Sequence, residues 1–280
     1  MEPTDLDELD GLPTWRCAEG RPLVPGLVAL ERLGVGHRTE TWLAWSLELW
    51  HPAIVKLARP HQVSHPRAAR SMRREARALR CGHPALPRLL DDHTGAPLPH
   101  VVLEYVDGEP FADVVDEGGA LPPADVAMLA ARLAPPLLHL HRTGLAHLDV
   151  KSENVLLREG CPVLVDFGSS REIGRRQPAG RPVGTPGYAA PDQEACRPVS
   201  AAMDYFGLGT VLAEALTGRP FPEVTALPAT PVTPLVRVLL DPDPERRGSP
   251  DALLRGAAAA CREAPWPSCL GRGRERDRVV

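Results

Sequence analysis

After a polar opening stretch, the chain alternates into short apolar runs at Leu27–Leu33, Thr41–Trp45 and Ala53–Leu57. Short runs bounded by turn residues predict strands. The turn carrying Gly34 and Gly36 between the first two predicts an antiparallel pair. Over residues 66–80 the period changes. Met72, Ala76 and Leu79 recur at i, i+4 and i+7, which predicts a helix with one apolar face. Cys81-Gly82 and then Pro84 stop it. Two more strand-like runs follow at Leu86–Leu90 and Val101–Val106. Beyond Gly108 the spacing is helical, at about 123–142, 201–217, 232–240 and 249–262. Pro135 and Pro136 fall inside the first of these. An interior proline costs about 3 kcal/mol, so a bend or break is expected there.

A β-rich first part followed by a helical second part predicts an α+β protein of two lobes with a cleft between them. The expected division is a flexible polar leader over 1–22, a small antiparallel β-rich lobe with one key helix over 23–107, a larger mainly α-helical lobe over 108–262, and a charged tail over 263–280.

Composition narrows the function classes. Hydrophobic residues make up 43% and charged residues 24% of 280, which suits a folded chain and excludes wholesale disorder. The net charge of −4 gives no basic excess for nucleic acid or an anionic membrane. No uncharged apolar run approaches the ~20 residues of a membrane helix, and the acidic N-terminus lacks a secretory pattern. The six cysteines are scattered without a Cys-x-x-Cys pair, which argues against zinc and for free thiols. These features together predict a cytoplasmic protein without a membrane span; the sequence does not indicate its oligomeric state.

The strongest chemical cluster is His147-Leu-Asp149-Val-Lys151-Ser-Glu-Asn154, followed by Val163-Leu-Val-Asp166-Phe-Gly168. It puts a carboxylate, an amine and a carboxamide in one short loop and a second carboxylate after the next strand. Phosphoryl transfer needs that set: a base for the attacking hydroxyl, a cation for the γ-phosphate, and oxygen ligands for a divalent metal.

This stretch resembles the catalytic loop and Asp-Phe-Gly segment of eukaryotic-type (Hanks-type) serine/threonine protein kinases. Further segments resemble the family in the family's order. Leu33-Gly34-Val-Gly36-His-Arg-Thr39-Glu-Thr41 is similar to the glycine-rich loop, Ala53-Ile-Val-Lys56 to the lysine strand, and Val102–Val106 to the hinge. Gly184-Thr185-Pro-Gly-Tyr188-Ala-Ala190-Pro191-Asp192 is similar to the end of the activation segment. Asp204–Gly209 and Asp243–Arg247 resemble later structural motifs. Any one of these alone is weak; a Gly-x-Gly pair or a strand-end lysine occurs in many folds. Their joint spacing over about 25–262 carries the resemblance.

The resemblance implies a bilobal kinase fold, ATP and Mg2+ (or Mn2+) as cofactors, and a protein substrate with a Ser or Thr acceptor. It assigns Gly34 and Gly36 to the phosphates, Lys56 to the α- and β-phosphates, and Glu75 to holding Lys56. Thr41, Leu103, Glu104 and Val106 would surround the adenine. Asp149 would be the base, Lys151 the γ-phosphate clamp, and Asn154 and Asp166 the metal ligands. Thr185 would help position the acceptor. His147 is expected to pack beneath the loop, Asp204 to brace it, and Arg247 to pair with Asp192.

Five positions depart from the family pattern, of which Ser152, in place of a common proline, is expected to have little consequence. Thr39 replaces the third glycine, and a β-branched residue tolerates positive φ poorly, so the loop is expected to sit differently. Thr41 replaces the usual valine. Leu148 replaces the arginine that binds a phosphorylated activation loop, and residues 171–184 contain no Ser, Thr or Tyr. Activity without activation-loop phosphorylation is therefore expected. Asp192 replaces a glutamate. Two other functions stay open at this point: a nucleotide-binding pseudokinase or scaffold, and a small-molecule kinase. The Gly184–Asp192 segment speaks against the latter.

Overall fold

An alternating strand becomes part of a sheet when one of its faces can be buried, and the first half of the chain does this repeatedly. The computed structural model describes residues 2–6, 11–80 and 82–262. The chain forms two compact units. One comprises the residues up to 82 together with Pro87–Tyr105; the other comprises His83–Leu86 and the chain from Val106 onward.

In the first unit β1 (Glu2–Leu6) pairs antiparallel with β2 (Pro13–Arg16). Then follow β3 (Pro22–Val24), β4 (Leu27–Val35), β5 (Thr39–Ser46), β6 (His51–Ala58), α1 (Pro66–Leu79), β7 (Leu89–His93) and β8 (His100–Glu104). They build a six-stranded antiparallel sheet in the order β3-β4-β5-β6-β8-β7. On one face Leu27, Ala29, Trp42, Ala44, Ala53, Val55, Leu57 and Val102 join Leu23 and Val24 in a core, with Trp15 and Cys17 packed against it. Helix α1 packs against β6, β7 and β8, burying Ala68, Met72, Glu75, Ala76 and Leu79. Its start is capped by His65, which accepts the Arg67 N–H at 3.2 Å, with Pro66 as the first helical residue.

Two expectations shift here. The strand expected over Leu86–Leu90 lies at Leu89–His93. The stretch read as a loose leader contains β2 and the partly buried Trp15.

The second unit runs β9 (Glu109–Pro110), α2 (Phe111–Gly118), α3 (Pro123–Arg142), β10 (Leu145–Ala146), β11 (Val155–Arg158), β12 (Cys161–Leu164), β13 (Arg171–Glu172), α4 (Pro191–Glu194), α5 (Ala201–Thr217), α6 (Thr233–Leu239) and α7 (Pro250–Arg262). Strands β9, β11 and β12 form one small sheet and β10 with β13 another. Helix α5 is buried from Met203 to Leu216, and α3 packs against it and against α7.

Helix α3 continues through Pro135 and Pro136 where a bend or break was expected; it is one unbroken helix of 20 residues. Leu133, Ala134, Leu137 and Leu140 around the prolines are almost wholly buried. At about 1.5–3 kcal/mol per buried large apolar side chain, packing outweighs the two missing amides. Between α5 and α6 the chain makes only a short 3-10 turn, Phe221–Glu223. Among the described residues no helix is long and apolar enough to cross a membrane.

Candidate active site

In the first unit, register places the candidate residues. Gly34 pairs with Thr41, Thr41 with Lys56, and Lys56 with Val101. Residues directly opposite one another in antiparallel strands share a face, so these four form one row across the sheet. The row lies on the face opposite the Trp42–Val55 core, since Trp42, Val55 and Leu57 alternate with Thr41 and Lys56. Lys56 Nζ reaches Glu75 Oε1 on α1 at 2.7 Å, with side chains only 11% and 3% exposed. A buried amine needs such a partner, because desolvating an unpaired charge costs several kcal/mol.

Gly36 closes the hairpin by donating its N–H to Thr39 O at 2.8 Å. A Cβ at Gly36 would come within 3.3 Å of that same carbonyl, while one at Gly34 would meet nothing. Thr39 does not adopt the positive φ that a glycine there would have signalled. It is the first residue of β5 and pairs with Ala58. The substitution therefore carries no backbone strain. Leu103 is buried at the end of β8. Glu104 exchanges bonds with Arg88: its N–H donates to Arg88 O at 2.9 Å and its Oε2 accepts the Arg88 N–H at 3.0 Å.

In the second unit Asp204, buried on α5, organises the loop. Its Oδ1 accepts the Leu148 N–H at 2.7 Å; its Oδ2 accepts the His147 N–H at 2.8 Å and meets His141 Nε2 at 2.7 Å. Burial alone would raise its carboxyl, but the His141 hydrogen bond, the charges of His141 and His147 and the Leu148 amide outweigh it and hold it below the usual carboxylate range. The brace holds Leu148 at φ 68, a conformation costly for a side chain with a Cβ. His147 lies beneath the loop as expected. Its ring contacts Val165 O at 3.1 Å, accepts the Asp149 N–H at 3.2 Å and meets Phe167 edge-on at 4.7 Å.

Two side chains, those of Thr185 and Asn154, bond to Asp149. Thr185 Oγ1 donates to its Oδ1 at 2.7 Å, and Asn154 Nδ2 donates to its backbone O at 2.8 Å. Val165 N–H donates to Asn154 O at 2.8 Å, which ties the loop to the residue before Asp166. Asp166 is exposed, at φ 60, with Oδ1 accepting the Gly168 N–H at 3.2 Å. Lys151 lies 3.9 Å from Glu153. Val106 is buried at the start of this unit. Arg247 pairs with Asp192 at 2.7 Å, as the sequence suggested, so the shorter carboxylate does reach it.

Sequence reasoning missed the polar residues that hold the segment between Asp166 and Asp192. Arg171 donates to the carbonyls of Ser169 and Ser170 at 2.8 Å. Gln177, almost buried, donates to Arg197 O at 2.9 Å and accepts the Val183 N–H at 3.0 Å. Gln193 donates to Leu148 O at 2.7 Å and to Val183 O. Gly184 is obligatory here: at φ +109, a Cβ would fall 2.5 Å from Leu148 O. Leu148 itself packs with Ala146, Ala190, Val199, Met203 and Phe206, with Val183 against them. Glu214 was also missed. It accepts Tyr188 Oη–H at 2.9 Å and the Phe221 N–H at 2.8 Å, and burial raises its carboxyl despite these bonds.

These arrangements agree with the comparisons to known proteins. The family model described as "Protein kinase domain" matches residues 27–256. The chain is 34% identical over 197 residues to the serine/threonine-protein kinase PknB of Mycobacterium leprae, covering 67% of this chain and 32% of that one. It is 34% identical over 200 residues to PknB of Mycobacterium tuberculosis, covering 68% and 32%. It is 33% identical over 210 residues to the serine/threonine-protein kinase PkaA of Streptomyces coelicolor, covering 67% and 39%. The chain thus spans about a third of the length of these curated relatives. With most of its length matched, and with the antiparallel sheet, single packed helix and helical second unit of the bilobal kinase fold, the chain belongs to the protein kinase domain family.

Proposed function

We propose that this chain is a serine/threonine protein kinase that transfers the γ-phosphoryl group of ATP to a protein hydroxyl. In this reading Lys56, held by Glu75, binds the α- and β-phosphates, and the Gly34–Gly36 hairpin lies over them. Thr41, Leu103, Glu104 and Val106 surround the adenine. Asp149 orients the acceptor hydroxyl and takes its proton as the oxygen attacks the γ-phosphorus and ADP leaves. Lys151 neutralises the transferring group, and Thr185 keeps Asp149 in place.

The donor set suits magnesium. Asn154 and Asp166 offer hard oxygen ligands, one or two of which are enough when the nucleotide phosphates supply others. Bound there, the cation would neutralise charge on the phosphates. The free thiols at Cys17, Cys161 and Cys196 fit a reducing cytoplasmic setting.

The observation that carries the proposal is the Thr185–Asp149–Asn154 assembly, which links the catalytic-loop carboxylate to the end of the activation segment through protein hydrogen bonds. Leu148 in its apolar cluster and Gln177 and Gln193 on main-chain groups further support activity independent of activation-loop phosphorylation. Radiolabel transfer from ATP to a generic protein substrate, before and after phosphatase treatment, tests both statements. Transfer is expected to survive the treatment and to be lost in Asp149→Asn. No transfer by the wild type would favour the pseudokinase reading, and loss only after phosphatase would overturn the phosphate-independent part.

A further inference from the structure

Arg59 lies at the end of the lysine strand, and its side chain is fully buried. A guanidinium has five donors and no acceptor, so burial demands carbonyls or carboxylates around it. Two of those around Arg59 come from the N-terminal stretch: Nη2 donates to Leu12 O at 2.8 Å and Nε to Pro13 O at 3.4 Å. A third comes from the glycine-bearing hairpin, where Nη1 donates to Gly36 O at 3.2 Å. The Arg59 backbone N–H also donates to Arg38 O, inside the same hairpin, at 3.0 Å.

A second buried charge repeats the arrangement. Glu40, one residue beyond Thr39, is fully buried. Its Oε1 accepts the Trp15 backbone N–H at 2.8 Å and its Oε2 accepts Trp42 Nε1–H at 3.1 Å. The Trp15 indole donates to Ala58 O at 2.7 Å, and Arg32 donates to Thr14 Oγ1 at 3.1 Å. The Trp15 and Thr14 bonds join this stretch to β4, β5 and the end of β6, and Arg59 bridges Leu12 and Pro13 to the hairpin between β4 and β5. The hairpin is thus held from behind by groups that are themselves satisfied by the N-terminal stretch.

From this double linkage we infer that Leu12–Trp15 is a strap that positions the glycine-bearing hairpin, with Arg59 and Glu40 as positioning residues, and that the strap sets ATP affinity. The inference rests on the nucleotide-binding reading above and deepens it. Releasing the strap removes acceptors from Arg59 and a donor from Glu40. The Gly36 carbonyl and the Thr39–Thr41 strand start then lose their fixed partners. The hairpin gains freedom that ATP must remove on binding, so KM for ATP rises while the catalytic loop is untouched.

The test uses the whole chain as wild type, Trp15→Ala and Trp15→Phe. Amide hydrogen exchange is followed without nucleotide, and steady-state kinetics are measured against ATP. Trp15→Ala is expected to accelerate exchange over residues 34–41 about tenfold and leave 201–217 unchanged. KM for ATP should rise about three- to tenfold, the worth of one ordinary hydrogen bond, with kcat within about twofold. Trp15→Phe loses the indole donor and keeps the backbone N–H, as Trp15→Ala does, but retains an aromatic ring against the core, and is expected between wild type and Trp15→Ala. Equal acceleration at 34–41 and 201–217 would make the stretch a general stabiliser and overturn the strap. So would an unchanged exchange rate at 34–41, or an unchanged KM in a protein that transfers phosphate. Should the wild type transfer none, the kinase reading fails, and the exchange contrast alone still decides the strap.

Discussion

The two units hold their charged groups in different ways. In the first, Lys56 and Glu75 form a buried contact at 2.7 Å between a strand and a helix. In the second, Asp204 reaches three donors at once, two of them consecutive main-chain amides of the loop it braces. The first arrangement joins two elements through their side chains. The second specifies a backbone conformation, including the positive φ of Leu148. A strand-to-helix pair can be broken by moving one helix, whereas a loop braced through its amides must unfold locally to change.

The sharpest way to separate chemistry from scaffold is Asp149→Asn. Phosphate transfer is expected to fall about 10²–10⁴-fold, the usual worth of a general base, with the urea midpoint nearly unchanged. Retained transfer would remove Asp149 from its proposed role.

Next in size is Asp204→Ala. It leaves the amides of His147 and Leu148 and the ring of His141 without this acceptor, so about 3–5 kcal/mol of stability should be lost in urea denaturation. Lys56→Met is expected to destabilise by a comparable amount, because Glu75 loses a buried partner. The contrast between the units appears in the double variant Lys56→Met/Glu75→Leu, which should regain most of that stability while remaining inactive. A double variant no more stable than the single would show that the pair specifies local structure as Asp204 does.

Leu148→Arg comes third. A guanidinium in the Ala146–Phe206 cluster has no phosphate to meet, and roughly 2–4 kcal/mol should be lost. An unchanged melting temperature would mean that the cluster opens readily, and would weaken the case for an activation segment held without phosphate.

The smallest effects lie in pH. The depressed Asp204 carboxyl contributes stability that is complete above the ordinary carboxylate range and lost as pH falls through its lower folded value. Glu214 has the opposite sign. Its carboxyl is raised by burial, so the native state binds the extra proton, and stability falls as pH climbs from the ordinary carboxylate range through the raised folded value. Glu214→Gln should flatten that decline, read from urea midpoints across mildly acidic pH.

The long helices were legible because their periods run far enough to be unambiguous: 123–142 and 201–217 match α3 and α5 end to end. Edges and short pieces were not. Strand β7 carries Asp91, Asp92 and His93 at the rim of the sheet, where polar residues are tolerated and read as loop. The eight-residue α2 is too short for its period to register. The Pro135–Pro136 break failed to appear because burial on both sides outweighs a local penalty.

For the site, the chemistry-bearing residues stood out as local clusters, and the Lys56–Glu75 pair needed only the expectation of a helix in the right place. Gln177, Gln193 and Arg59 were not singled out. The partners described for them above are carbonyls and amides, which any residue supplies and which leave no trace in side-chain identity.

That last property has a consequence for the stretch around Leu12. Because Arg59 grips oxygens of the peptide chain, the identities of residues 12 and 13 are nearly free to drift, while their count is not. Substitutions there should pass almost silently. Insertion or deletion of a single residue between Leu12 and Trp15 would move those oxygens by a full peptide step, about 3.8 Å, and disengage them together.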